Sequence, residues 1–134
     1  MKEVIRVDKI HELFDNVQGE IVIADENIDI VYMNKEAIDK YEKYGGKALI
    51  GKSLLACHNP ASQDEIRQMY KSFAGGDLRP WHYQISEEGY IDLVTVTPIV
   101  SNGKVKGCME LVVKIVDGAY TARVVGGSDR SDAI

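Results

Sequence analysis

Tyr90-Ile91-Asp92-Leu93-Val94-Thr95-Val96-Thr97-Pro98-Ile99-Val100, the link Ser101-Asn102-Gly103-Lys104, and Val105-Lys106-Gly107-Cys108-Met109-Glu110-Leu111-Val112-Val113-Lys114-Ile115-Val116 together read as one long β-hairpin. Asn-Gly is the pair that best tolerates the positive φ angles of a type I′ turn, so the flanking runs must pair antiparallel. On the second run, Val105, Gly107, Met109, Leu111, Val113 and Ile115 share one side, and Lys106, Cys108, Glu110, Val112 and Lys114 share the other. One side is dry and the other wet, which is the pattern of an antiparallel sheet covered on one face. The dry side is therefore expected to meet the helices, placing Met109 and Leu111 inside and Cys108 and Val112 outside. Pro98 cannot donate to a ladder, so it marks an edge or a bulge.

Working outward, Trp81 to Ser86 alternates as a third strand, with Trp81, Tyr83 and Ile85 on one side and His82, Gln84 and Ser86 on the other. Glu87-Glu88-Gly89 turns that strand into Tyr90. Before it, Ser62-Gln63-Asp64-Glu65 matches a capping box, and Ile66, Met69, Tyr70 and Phe73 follow at helical spacing up to Gly75-Gly76. Nearer the N-terminus, Asp8 can cap a helix over 8–18 carrying Ile10, Leu13, Phe14 and Val17. Glu20 to Asp25 and Ile28 to Met33 read as a hairpin turning at Glu26-Asn27. Asn34 can cap the next helix, whose Ala37, Ile38 and Tyr41 share a face and which stops at Gly45-Gly46. Lys47 to Ala56 reads as a single helical turn or an irregular segment. The order of elements predicts an α+β fold: a five-stranded antiparallel sheet with helices on one face.

The 134 residues, 45% apolar and 28% charged, suit one globular domain. We place it at 1–116, with 117–134 expected as a flexible tail because apolar periodicity stops there. The net charge of −5 and the lack of a Lys/Arg cluster set nucleic acid aside as a partner. No apolar run approaches the roughly 20 residues of a membrane span, and the first residues hold no signal-peptide block. The expected setting is cytoplasmic, with Cys57 and Cys108 as thiols.

Three segments in this order resemble the PAS sensor family over about Asp8 to Val116. Val22 through Met33 to Asn34 looks like its opening hairpin and the Asn that starts the following helix. Leu49-Ile50-Gly51-Lys52-Ser53-Leu54 looks like its hydrophobic-Ile-Gly-Lys stretch, and Thr97 to Glu110 like its closing strands. The resemblance implies a half-barrel enclosing a small cavity, which relatives use for haem, flavin, organic acids or nothing. It implies a sensory domain rather than an enzyme, with a small-molecule ligand, a homodimer packed through the first helix and outer sheet face, and a signalling protein as partner.

Ala56-Cys57-His58-Asn59-Pro60 is the segment richest in chemistry. Pro60 disfavours helix at Asn59, so Cys57 and His58 precede the capped helix, whose dipole should lower a thiol pKa and disfavour a protonated imidazole. A neutral imidazole can bind iron. Haem-binding relatives place an axial His near this helix, so the resemblance offers His58 as metal ligand for a possible haem cofactor, with Cys57 second. The expected cofactor-binding set is His58, Cys57, Met69, Phe73, Met109 and Leu111. The plainer alternative packs Cys57 as a small hydrophobe and bonds His58 to a backbone carbonyl. Cys57 to Ser62 departs completely from the Asn-Cys-Arg-Phe-Leu-Gln run of the flavin photoreceptors. Tyr32 and Glu36 resemble the chromophore-binding pair of the yellow photoreceptors, one residue out of register. Tyr41, Tyr44, Tyr70, Phe73, Trp81 and Tyr83 are candidate core walls. Two competing functions stay open: a ligand-free dimerisation module with a filled core, and a cone-like isomerase built around an acid such as Asp92.

Overall fold

A computed structural model describes residues 2–116, with side chains from residue 8 onward. The elements are α1 (Lys2–Asp15), β1 (Glu20–Asp25), β2 (Ile30–Met33), α2 (Lys35–Lys40), α3 (Pro60–Ala74), β3 (Trp81–Glu87), β4 (Tyr90–Ser101) and β5 (Lys104–Val116). Three short 3-10 turns, Glu42–Tyr44, Gly46–Leu49 and Leu54–Cys57, fill the connection between α2 and α3. The five strands form one antiparallel sheet in the order β2-β1-β5-β4-β3. The expected fold class is therefore the observed one. The first helix begins and ends earlier than expected, and the segment 117–134, read as a flexible tail, lies outside the described residues.

Local chemistry fixes the joints. Asn102 and Gly103 take φ of 52° and 75°, as a type I′ turn requires, and β4 and β5 pair along nearly their whole length. Pro98 lies beyond Val96, where β3 stops pairing, so its missing donor costs nothing. Asn34 is fully buried and ties three segments together. Its Oδ1 accepts from Ile21 N at 2.9 Å and Ala37 N at 3.1 Å, and its Nδ2 donates to Gly19 O at 2.8 Å. It caps α2 while pinning the entry to β1.

Helix α3 starts earlier than the capping box suggested. Asn59 is the cap, its side chain accepting from Ser62 N at 2.9 Å, and Pro60 occupies the first turn. Proline is suited to that place because its absent N–H would be unpaired there anyway. The inward stripe is as expected: Met69 and Phe73 are buried against Val94, Val96, Cys108 and Val112, with Tyr70 packed alongside. A second cluster joins Val22, Ile30, Met33, Ala37 and Leu49 under α2 and the 3-10 turns.

The parity of β5 is the reverse of the expectation. Cys108 and Val112 are buried under α3, and Glu110 lines a cavity between them. Met109 and Leu111 therefore point to the opposite face, in register with Ile23 and Ile21 of β1 and with Thr97 and Thr95 of β4. The drier row lies outside, where the sheet presents an apolar outer surface, and the wetter row lies inside, where Glu110 meets the polar end of a largely apolar cavity.

Candidate functional site

The inner sheet face, α2, α3 and the turn before α3 enclose a cavity of about 310 Å³. Its aliphatic wall comes from Ile66 and Met69 of α3 and from Val94 and Val96 of β4. Tyr41, Tyr70 and Tyr83 border it, as does His58.

The polar end is built from three strands and a helix. Lys40, the last residue of α2, places Nζ 3.1 Å from Oε2 of Glu20 on β1 and 3.3 Å from Oδ2 of Asp92 on β4. Glu20 and Asp92 are buried, while Lys40 is 38% exposed. The second oxygen of each carboxylate, Glu20 Oε1 and Asp92 Oδ1, is buried with no hydrogen-bond partner. Glu110 of β5 also lines the cavity, and its carboxyl is pushed up to about 7, chiefly by burial and then by the charge of Glu20, against the opposing pull of Lys40. Burial likewise raises Glu20 above the usual carboxylate range although Lys40 pulls it down. Tyr83 rises to about 12, through burial first and the charge of Glu110 next.

A second polar group sits at the cavity's α3 end. Tyr70 donates its hydroxyl to Asp25 O at 2.9 Å and receives the Cys108 thiol at 3.4 Å. Burial pushes that thiol up, making it a poor nucleophile.

A family model described as PAS domain matches residues 10–116. The chain belongs to the PAS family. Among solved structures, this PAS domain is similar to a C-terminal domain from Streptococcus mutans, at TM-score 0.67 and 18% identity over 80% of this chain and 83% of that one. It is similar to a sensory box sensor histidine kinase from Vibrio cholerae, at 0.62 and 16% over 87% and 98%. The PAS domain of Bordetella pertussis BvgS gives 0.55 and 17% over 85% and 89%. At such identities the likeness concerns the fold. No curated protein sequence matches significantly.

Of the residues singled out from sequence, His58 and Met69 line the cavity. Phe73 packs beneath it as core, only 1% exposed. Cys57 stands beside it: its thiol donates to Leu54 O at 3.3 Å and lies 3.4 Å from His58 Nδ1. Met109 and Leu111 belong to the outer face, so neither lines the cavity. Tyr44, expected as a core wall, is 56% exposed. Tyr32 also faces outward, donating its hydroxyl to Asp15 of α1 at 2.6 Å, which removes the yellow-photoreceptor reading.

His58 follows the plainer alternative. Its Nδ1 is 2.8 Å from Leu54 O, an acceptor only, so Nδ1 carries the proton and Nε2 the lone pair. Contacts with Cys57 and the Leu54 carbonyl push its pKa up against desolvation, the reverse of what the helix dipole suggested. An Nδ1–H bonded to a carbonyl is also how ligating imidazoles are oriented. The surroundings do not fit haem, however. Its two propionates would enter a space that already holds a surplus of carboxylates, and the cation there is committed to Glu20 and Asp92. A cavity of about 310 Å³ suits a compact molecule, at the small end of ligand sites.

The sequence reading missed Glu20, Lys40 and Glu110. A signal was present on β4: Val94 and Val96 alternate with Thr95 and Thr97. That alternation puts Asp92 on the inner side, and antiparallel register then carries Glu110, opposite Val96, inward too.

Proposed function

We propose that this PAS domain is a sensory module whose cavity takes a small ligand and which pairs with a second copy to regulate a signalling partner. One observation carries the reading: the inner face is left unfilled at a polar site, where a core built only for stability would be closed by aliphatic side chains. That observation favours it over a ligand-free dimerisation module with a filled core. Pairing is supported by the outer face, where Leu93 and Val113 are 41% and 39% exposed, and by exposed Ile10, Leu13 and Phe14 on α1. A cytoplasmic setting is supported by two unpaired thiols. Among the described residues no helix is long and apolar enough to cross a membrane.

Mass spectrometry of the denatured, freshly purified protein tests the ligand. A stoichiometric compound is expected, and haemin added to the protein should give no sharp Soret band. A Soret band that His58→Ala removes would restore haem. Sedimentation of Leu93→Glu against the wild type tests pairing: a dimer that dissociates is expected, and an unchanged dimer would place the interface elsewhere.

Glu110 gives the isomerase alternative its one supporting observation. Such an enzyme needs a carboxyl with a raised pKa in an enclosed site, and Glu110 has that property. Ultraviolet assay of a β,γ-unsaturated ketone decides it. Turnover lost in Glu110→Gln would establish the enzyme, and no turnover leaves the sensory reading.

A further inference from the structure

The polar end of the cavity is short of hydrogen-bond donors. One ammonium, Lys40, serves one oxygen each of Glu20 and Asp92. The remaining oxygens, Oε1 and Oδ1, are buried and unpartnered on side chains only 8% and 5% exposed. A buried acceptor in that state is costly, and native proteins rarely leave one without a reason. Asp92 lines the cavity, so a molecule inside it borders the orphaned carboxylate. Glu110 lines the same space and adds a third carboxyl, which burial, and then the charge of Glu20, push up to about 7.

Glu65, Asp92 and Glu110 of the lining, with Glu20 beside them, outnumber Lys40, and Lys114 of β5 adds a pull on Glu20 from outside the lining. Among the described residues no three His, Cys, Asp or Glu side chains converge in a metal-holding group. Nor does the lining suit an anion, which would meet Asp92 and Glu110 without a free cation. Tyr41 and Tyr83 border the space, and aromatic faces attract organic cations. Apart from His58, Ser62, Glu65, Tyr70 and Cys108, the rest of the wall is apolar.

We infer that the cavity takes a small organic cation: a protonated amine or amidine head among Asp92, Glu110 and Glu20, with an apolar body against Ile66, Met69 and Val94. The inference rests on the reading that the cavity binds a ligand. The head supplies the donors that Lys40 cannot, and the compact cavity limits the body to about the size of a single ring with a short arm.

Isothermal titration of the protein with benzamidine and phenethylamine, against benzamide, benzoate and phenylacetate, tests it. The two cations are expected to bind and the neutral and anionic isosteres to bind at least about tenfold more weakly, since charge-assisted bonds to buried carboxylates are at stake. Asp92→Asn and Glu110→Gln should each cut cation affinity about tenfold or more, while Ser101→Ala, exposed at the far end of β4, leaves it unchanged. Should Asp92→Asn fail to fold by circular dichroism, Glu110→Gln carries the comparison. Benzoate or benzamide binding as tightly as benzamidine overturns the cation and leaves the ligand cavity standing. So does cation affinity that is indifferent to the folded variants. If no probe binds, the compound released from denatured protein decides: a basic nitrogen supports the inference, its absence overturns it, and no compound at all overturns both readings.

Discussion

Glu110 couples the cavity to pH. In the unfolded chain its carboxyl titrates near its ordinary 4.5, and in the fold it titrates at about 7. A folded pKa raised above the unfolded one means that the fold holds the extra proton between those values. The contribution is therefore complete below about 4.5 and is lost as pH rises through 7. At about 1.4 kcal/mol per unit, the whole gap is worth roughly 3 kcal/mol, of which about 2 to 3 falls between pH 5 and pH 8. Glu110 shares the cavity with Lys40, Tyr41, His58, Glu65, Tyr70, Tyr83, Asp92 and Cys108, with Glu20 beside them; Glu20 raises the carboxyl and Lys40 opposes it. Glu110→Gln keeps the shape and removes the titration. Urea unfolding followed by the single tryptophan, Trp81, which packs beside the α3 core, reads the difference. At a slope of about 2 kcal/mol per molar, the wild-type midpoint should fall relative to Glu110→Gln by about 1 M from pH 5 to pH 8. The raised titrations of His58 and Glu20 tilt both chains the same way and largely cancel. Parallel midpoints across that range would show that Glu110 is solvated like a surface acid, and the electrostatic account of the cavity would fall with it.

Lys40→Met should cost about 3–5 kcal/mol in thermal or urea unfolding, because it strands two buried carboxylates. Adding Glu20→Gln and Asp92→Asn should recover much of that loss, and no recovery would mean that packing, not charge, set the cost. Asn34→Ala removes an α2 cap and leaves Ile21 N and Gly19 O unpaired inside the fold, so a loss of about 3 kcal/mol or more is expected. Gly107→Ala drives a Cβ into the Ala24 carbonyl oxygen, where Gly107 pairs with Asp25 of β1. Its amide exchange should rise along β1 and β5 while the β3–β4 pairing stays protected, and uniform protection would contradict the clash.

The sheet was legible because its turns are chemically explicit. Asn102-Gly103, the alternation of Trp81 to Ser86 and the stripe Ile66, Met69, Tyr70 and Phe73 each admit one local structure. Asn34 was read as a cap, and its second task, holding the entry to β1, was not visible because that bond spans 13 residues. The start of α3 was displaced because Asn59-Pro60 and Ser62 to Glu65 both encode helix starts, and the one whose proline fits the first turn prevailed. The acids and Lys40 come from four elements. No local pattern brings Glu20, Lys40, Asp92 and Glu110 together, so only the sheet order reveals them.

The reversed parity of β5 has a single physical cause with two parts. Alternation locates two faces but not which is inner, and the usual rule assigns the apolar one to the core. Here the inner row, Cys108, Glu110 and Val112, carries a thiol and a carboxyl and borders a cavity with a polar end. The outer row, Met109, Leu111 and Val113, is apolar where α3 does not cover it, and Val113 is left 39% exposed. Burying such a face alone against solvent gains nothing, whereas covering it with another apolar surface gains about 25 cal/mol for each Å² removed from water. A strand that is wet inside and dry outside fits the proposed internal ligand site and external partner, and local rules are expected to fail at functional positions.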